Sequence, residues 1–285
     1  MGGERGGRTV APRLPAPLPD LRAREGRQVI VLALFGSGAI AGTLGALLGL
    51  GGGVFLVPLL VLLFELPIRF AVGTSLVGVI ATSAAVAIFT GSRRGADMDL
   101  ALRLELSTAA GALAGGWLAG LVDPRALYVI FALVVFASAG YTLREARQRA
   151  GGQAAELLYR RDYRIRRWPA GLAVSSLAGL ASGMLGVGGG FIKVPIMHSL
   201  MGVPLGIATA TSNFMVGITA SASVFVYYHR GDIRPWMAVP ATLGVFAGAM
   251  LGVLLQPRLR AGWLRAVLVL VLIGIGIQML VRGLS

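Results

Sequence analysis

The chain has 285 residues, of which 56% are hydrophobic and 13% charged, with a mean hydropathy of +0.79. A soluble domain of this length carries roughly a quarter charged residues, so the composition excludes that class and points to an integral membrane protein. The absence of cysteine excludes disulfides, thiol catalysis and iron–sulfur chemistry. A net charge of +14 in a soluble domain would suggest nucleic acid. Here the arginines gather outside the apolar stretches, where membrane orientation and anionic lipid account for them without a nucleic-acid partner.

In chain order, residues 1–27 are rich in Gly, Pro and Arg and read as a disordered cytoplasmic tail carrying Arg5, Arg8, Arg13, Arg22, Arg24 and Arg27. The apolar stretch 28–50 is too long for a signal-peptide core and lacks a clear cleavage site, so it is read as a retained span. A short segment at 54–64 follows, then spans at 71–91, 102–122 and 125–144, closing a first membrane unit over 28–144. A basic linker, 145–168, separates it from a second unit over 169–282. That unit reads as spans at 169–187, 206–228, 236–255 and 262–282, with a short segment at 191–201.

The second unit rewrites the first. Gly49-Leu50-Gly51-Gly52-Gly53-Val54-Phe55-Leu56-Val57-Pro58 returns 137 positions later as Gly186-Val187-Gly188-Gly189-Gly190-Phe191-Ile192-Lys193-Val194-Pro195. Pro67, Ala71, Thr74 and Ser75 likewise meet Pro204, Ala208, Thr211 and Ser212. Further on, Gly111, Gly115 and Pro124 match Gly244, Gly248 and Pro257 at an offset of 133, which implies four residues lost near 91–100.

Eleven helical residues rise only about 16 Å, half a hydrocarbon core. Each short segment therefore reads as a re-entrant half-helix that returns to the side it entered from. The expected fold is an all-α membrane protein of two tandem repeats, each of about four transmembrane helices plus one short Gly-opened re-entrant half-helix. With four crossings per repeat the two copies are parallel, and both termini and the linker face the cytoplasm. The positive-inside rule agrees, since Arg144 and the seven arginines of the linker lie on that side and Arg93, Arg94, Arg230 and Arg234 would join them.

Two interrupted apolar segments at matching places in two halves point to a solute site. Glycine allows a tight turn and leaves backbone N–H groups free to hold an anion, which makes Gly51, Gly52, Gly53, Gly188, Gly189 and Gly190 candidates. Lys193 is the sole lysine and falls three residues after Gly190, at membrane depth, where a charge reads as functional. Thr74, Ser75, Thr211, Ser212 and Asn213 offer oxyanion donors, and serve equally well as caps or interhelical ties. Thr219 reads as a packing residue and Glu105 as a solvated residue near a span end. His198 is the candidate for proton coupling. No metal-ligand cluster, cofactor motif or catalytic pair is present, so the chain reads as a non-enzyme.

At these residues the chain resembles the sulfite exporter TauE/SafE family of membrane permeases. The resemblance rests on the duplicated GxGGG-(x)4-P element, the downstream P-x3-A-x2-TS and the second-half TSN, and covers about 28–282. It implies a cytoplasmic-membrane transporter of small anions, with sulfite, sulfonates and related sulfur oxyanions as the expected substrates, and it sets no oligomeric state. A passive anion channel and a non-transporting scaffold docked through the basic linker are the alternatives.

Overall fold

The structure is a computed structural model, and it describes residues 24–48, 51–90, 95–149, 163, 165–258 and 261–284. The basic tail up to residue 23, Gly49, Leu50 and most of the central linker lie outside the described residues. Everything described is helical or connecting: α1 (Arg24–Leu48), α2 (Gly53–Leu63), α3 (Ile68–Thr90), α4 (Met98–Leu121), α5 (Pro124–Arg149), α6 (Trp168–Leu185), α7 (Gly190–Pro195), α8 (Leu205–His229), α9 (Pro235–Leu255) and α10 (Ala261–Leu284). A π-helical turn, Ile196–Leu200, continues α7. Seven of these helices are long and apolar enough to cross a membrane. The exception among the long ones is α4, whose first turns carry Asp99, Arg103 and Glu105.

Local chemistry sets the boundaries. Asp97 caps α4 by accepting from the Leu100 amide at 3.0 Å. Proline opens α9 and stands in the first turn of α6, where a missing N–H costs nothing. Gly186, at φ +71°, ends α6 in the left-handed conformation that favours glycine.

The starts of α2 and α7 (Gly53, Gly190), α3 and α8 (Ile68, Leu205), α4 and α9 (Met98, Pro235), and α5 and α10 (Pro124, Ala261) each stand 137 residues apart. Packing keeps the same register. Gly111 lies against the Ser176 carbonyl and Gly248 against that of Ala39, while Gly115 faces Leu180 and Gly252 faces Thr43. Each of these partners is again 137 from its counterpart. No residues are lost, and the offset of 133 is a slip of one helical turn. Small residues recur every fourth position on these helices, so a four-residue shift lays glycine over glycine.

The same contacts fix direction. The carbonyls of Phe35, Ala39 and Thr43 face Gly244, Gly248 and Gly252 in ascending order, so α1 and α9 run parallel, and α4 and α6 do likewise. In contrast, Ser83 donates to the Asn213 carbonyl (2.8 Å) while Gly73 packs on Asp232, so α3 and α8 are antiparallel. Gly276 against Phe136 and Gly283 against Val129 make α5 and α10 antiparallel too. Helices with matching sequence thus point in opposite directions. The expected parallel repeats are overturned: the halves are inverted about an axis lying across the helices.

The parity error lies in the first span. Gly53, at the start of α2, sits beside Ser75 and Val79 in the middle of α3, and α2 must end where α3 begins, with only four residues between Leu63 and Ile68. Therefore α1 and α2 form one hairpin that enters and leaves at the same end. Three crossings follow in each half, not four beside a separate half-helix. The start of α1 and the end of α10 share one end of the bundle, whereas α5 ends and α6 begins at the other. The linker thus departs from the side expected for it. Arg230 and Arg234 stand at the end where α3 begins, whereas Arg93 and Arg94 lie outside the described residues.

Candidate anion site between two glycine breaks

Gly51 and Gly188, equivalent in the two halves, adopt φ +75° and +77°, and Gly189 adopts +72°. These left-handed residues turn the chain out of one helix and into the next. The two breaks meet face to face. A Cβ on Gly53 would occupy space held by the Gly186 carbonyl, and one on Gly188 would press on Val79 and Val216. The buried Ser75 hydroxyl lies 2.9 Å from the Gly186 carbonyl, to which it donates, and 3.4 Å from that of Gly53. Ser75 thereby ties one break to the other. Ser75→Ala should lower stability by about 1 kcal/mol, the worth of one buried hydrogen bond, read as a lower Tm in detergent.

The carbonyl of Gly52 accepts from the amides of Phe55 and Leu56, and that of Gly189 from Ile192 and Lys193, so each break starts its own helix. Gly190 is the first residue of α7. Thr74 is buried. Ser212 is fully buried, and its hydroxyl has no hydrogen-bond partner among the described residues. A narrow crevice beside the first break is lined by Gly45, Gly51, Thr82, Ser83, Val86, Asn213 and Val216. It brings the second-half Asn213 to the first-half Gly51 through the antiparallel pairing of α3 and α8.

Thr211 is committed elsewhere. Its hydroxyl accepts from the Asp97 amide at 3.0 Å, and the Asp97 carboxylate accepts in turn from Tyr163. Burial, then the hydrogen bond to Asp97, pushes the Tyr163 hydroxyl pKa well above its usual value. His198 is exposed on the π-helical turn, and its Nδ1 lies 2.9 Å from the Val203 carbonyl.

Lys193 is 1% exposed and stands within a compact polar cluster. Its Nζ lies 2.6 Å from Thr219 Oγ1 and 3.4 Å from Glu105 Oε2, while Thr219 Oγ1 donates to Glu105 Oε1 at 2.6 Å. Glu105 is buried inside the bundle on α4, not solvated, and Thr219 is a polar partner rather than mere packing. Lys193 is not among the residues lining the crevice. The expected single shell is thus divided into the paired breaks, the crevice at Asn213, and the Lys193 cluster. Glu105 could have been found from the sequence. It is an acid seven residues inside a helix that also carries the small-residue packing face, in a chain with one intramembrane lysine to neutralise.

Two curated bacterial relatives are similar over nearly their whole length. The probable membrane transporter YunE of Bacillus subtilis is 26% identical over 262 residues, covering 87% of this chain and 96% of the relative. A probable membrane transporter of Xylella fastidiosa is 30% identical over 257 residues, with 89% and 96% covered. The sulfite exporter TauE/SafE family protein 5 of Arabidopsis thaliana is 32% identical over 102 residues, 36% of this chain and 22% of that protein. No solved structure matches the chain. The family described as Sulfite exporter TauE/SafE matches residues 34–279. Inverted glycine breaks, polar groups buried around them and this match over most of the length lead to one conclusion: the chain belongs to the TauE/SafE family of membrane transporters.

Proposed function

We propose that this protein is a secondary transporter that exports a small sulfur oxyanion, such as sulfite or an organosulfonate, across the cytoplasmic membrane. The observation that carries this reading is the meeting of the two glycine breaks at the centre of the bundle. Gly53 and Gly51 of the first break approach Gly186 and Val187 of the second there, with Asn213 beside Gly51 and Lys193 in the first turn after Gly190. Irregular backbone at this depth is tolerated only where protein covers it or a solute path passes. Thr74, Ser75, Thr211 and Ser212, all buried two turns into α3 and α8, supply further donors when the breaks separate. The Ser75 tie closes the gap between the breaks, as a carrier with alternating access requires and a permanently open channel does not.

Rocking of the group built on α1 and α9 against the group built on α4 and α6 would expose the same site to each side in turn. An inside-negative potential favours anion export by about 2.3 kcal/mol per charge per 100 mV, so an exporter needs no coupling ion, and the exposed His198 has no required part. The first hairpin usually dominates orientation, which places the arginine-rich tail, and with it both termini, in the cytoplasm, where the tail contacts anionic lipid.

Sulfite flux into proteoliposomes tests the reading. Wild type should show saturable flux, and Lys193→Ala and Asn213→Ala should each depress it at least about tenfold. Saturable flux untouched by both substitutions would remove the site and keep the transporter. No flux of sulfite, sulfonate, sulfate or thiosulfate would remove the function.

A further inference from the structure

We infer that Glu105 is a built-in competitor for the transported anion: its carboxylate holds Lys193 and Thr219 in the empty carrier, and the oxyanion displaces it on binding. The inference rests on the anion-transport reading above and assigns Glu105 as the residue that sets affinity and release.

Three observations carry it. First, the pair is loose where a structural ion pair would be tight. Nζ to Oε2 is 3.4 Å, against roughly 2.7–2.9 Å for a charge-assisted hydrogen bond. The short contacts both pass through Thr219, whose hydroxyl is 2.6 Å from each charged group. A carboxylate oxygen and a sulfite or sulfonate oxygen present the same acceptor to a hydroxyl and an ammonium, so one can take the other's place.

Second, the fold does not need the pair. The positions related to Lys193, Thr219 and Glu105 by the 137-residue repeat are Leu56, Thr82 and Thr242. There the same junction of half-helix and two long helices closes with no charge. The threonine placement is retained, with Thr82 Oγ1 3.1 Å from the Gly78 carbonyl and Thr219 Oγ1 3.0 Å from that of Met215. Replacing a buried ion pair with apolar residues is often neutral for stability, so a pair kept in one half alone calls for a role other than holding helices together.

Third, the pair joins the short α7 to a long helix that stays fixed: Glu105 stands on α4, Lys193 on α7 and Thr219 on α8. Close glycine contacts hold α4 against α6, so it is α7 that an anion frees when it takes Lys193 from Glu105. Binding and release of α7 are then one event.

The test is sulfite flux and its KM in proteoliposomes, with folding checked by size exclusion and thermal unfolding in detergent. Glu105→Gln should lower KM about tenfold and slow the maximal rate, because the site keeps its cation and loses its competitor. Glu105→Asp, shorter by one methylene, should shift both in the same direction by less, and serves if the glutamine variant does not fold. The double variant Glu105→Gln with Lys193→Met should fold yet show no saturable flux. Flux in wild type with KM unchanged or raised in both single variants overturns the competitor role alone. So does wild-type-like flux in the double variant, which would make the pair structural. Absence of oxyanion flux in wild type removes the transport reading first, and the inference with it.

Discussion

Gly248→Val is expected to abolish recoverable folded protein, whereas Gly36→Ala should leave yield and Tm unchanged or slightly raised. Gly248 sits on α9 where the backbone of α1 passes directly over it. A Cβ there would fall in the space of the Ala39 carbonyl, which is main chain and cannot rotate aside. Valine adds two further methyl groups at the same spot. Overpacking ordinarily costs about 1–3 kcal/mol, and here relief requires two long helices to part along their whole contact. That contact recurs at Gly38, Gly42, Gly244 and Gly252, so displacement at one level loosens all. Without a hydrophobic drive between helices in lipid, such close approach is the main source of association. Gly36, by comparison, has nothing within 4 Å of the place a Cβ would take, and alanine is the better helix former by about 1 kcal/mol. The yield of monodisperse protein in mild detergent, followed by thermal unfolding, separates the two. Equal behaviour of both variants would mean that α1 and α9 do not pack as described.

Cysteines placed singly at Asp99 and His229 are expected to react with a membrane-impermeant maleimide from opposite faces of the membrane. The chain has no native cysteine, so each variant carries one reporter. Asp99 is exposed in the first turn of α4, and His229 is exposed at the end of α8. In the inverted arrangement the α3–α4 turn and the α8–α9 turn lie at opposite ends of the bundle. In the parallel arrangement that the arginine distribution suggests, both turns share a face. The outcome is all-or-none: labelling of both from the same side would discard the antiparallel pairing of α3 with α8.

The helices themselves were legible in the sequence. Their apolar lengths, the Pro and Gly punctuation and the duplicated glycine run locate ten segments within a few residues. Direction was not legible, for a physical reason. Residues 28–50 are long and apolar enough to cross, and hydropathy does not distinguish a helix that crosses from one that turns back at a glycine break. Miscounting that one segment reverses every helix of the second half. The charge rule could not rescue the count, because a basic tail and a basic linker satisfy it only when placed together. Of the candidate site, the glycines were readable because their backbone demand is written in residue type. Thr211 was not, since a hydroxyl suited to an anion is equally suited to an amide, and the Asp97 amide is nearer. Glu105 was readable as an acid inside a helix, but its pairing with Lys193, 88 residues away, was not, because only the packing of α4 against α7 and α8 brings the two together.

The crossed grip of the two halves, α1 on α9 and α6 on α4, has a consequence for how such a protein can be made. Each half holds its first helix against the other half, so neither half contains a complete small-residue contact of this kind by itself. A solitary half could satisfy that surface only by meeting a second copy inserted upside down. A population of free halves would therefore need to enter the membrane in both orientations in equal number. Joining them in one chain removes that need, because a hairpin and three crossings deliver the second half already inverted. The connecting segment leaves α5 and reaches α6 at the same end of the bundle, and never has to pass through the bilayer.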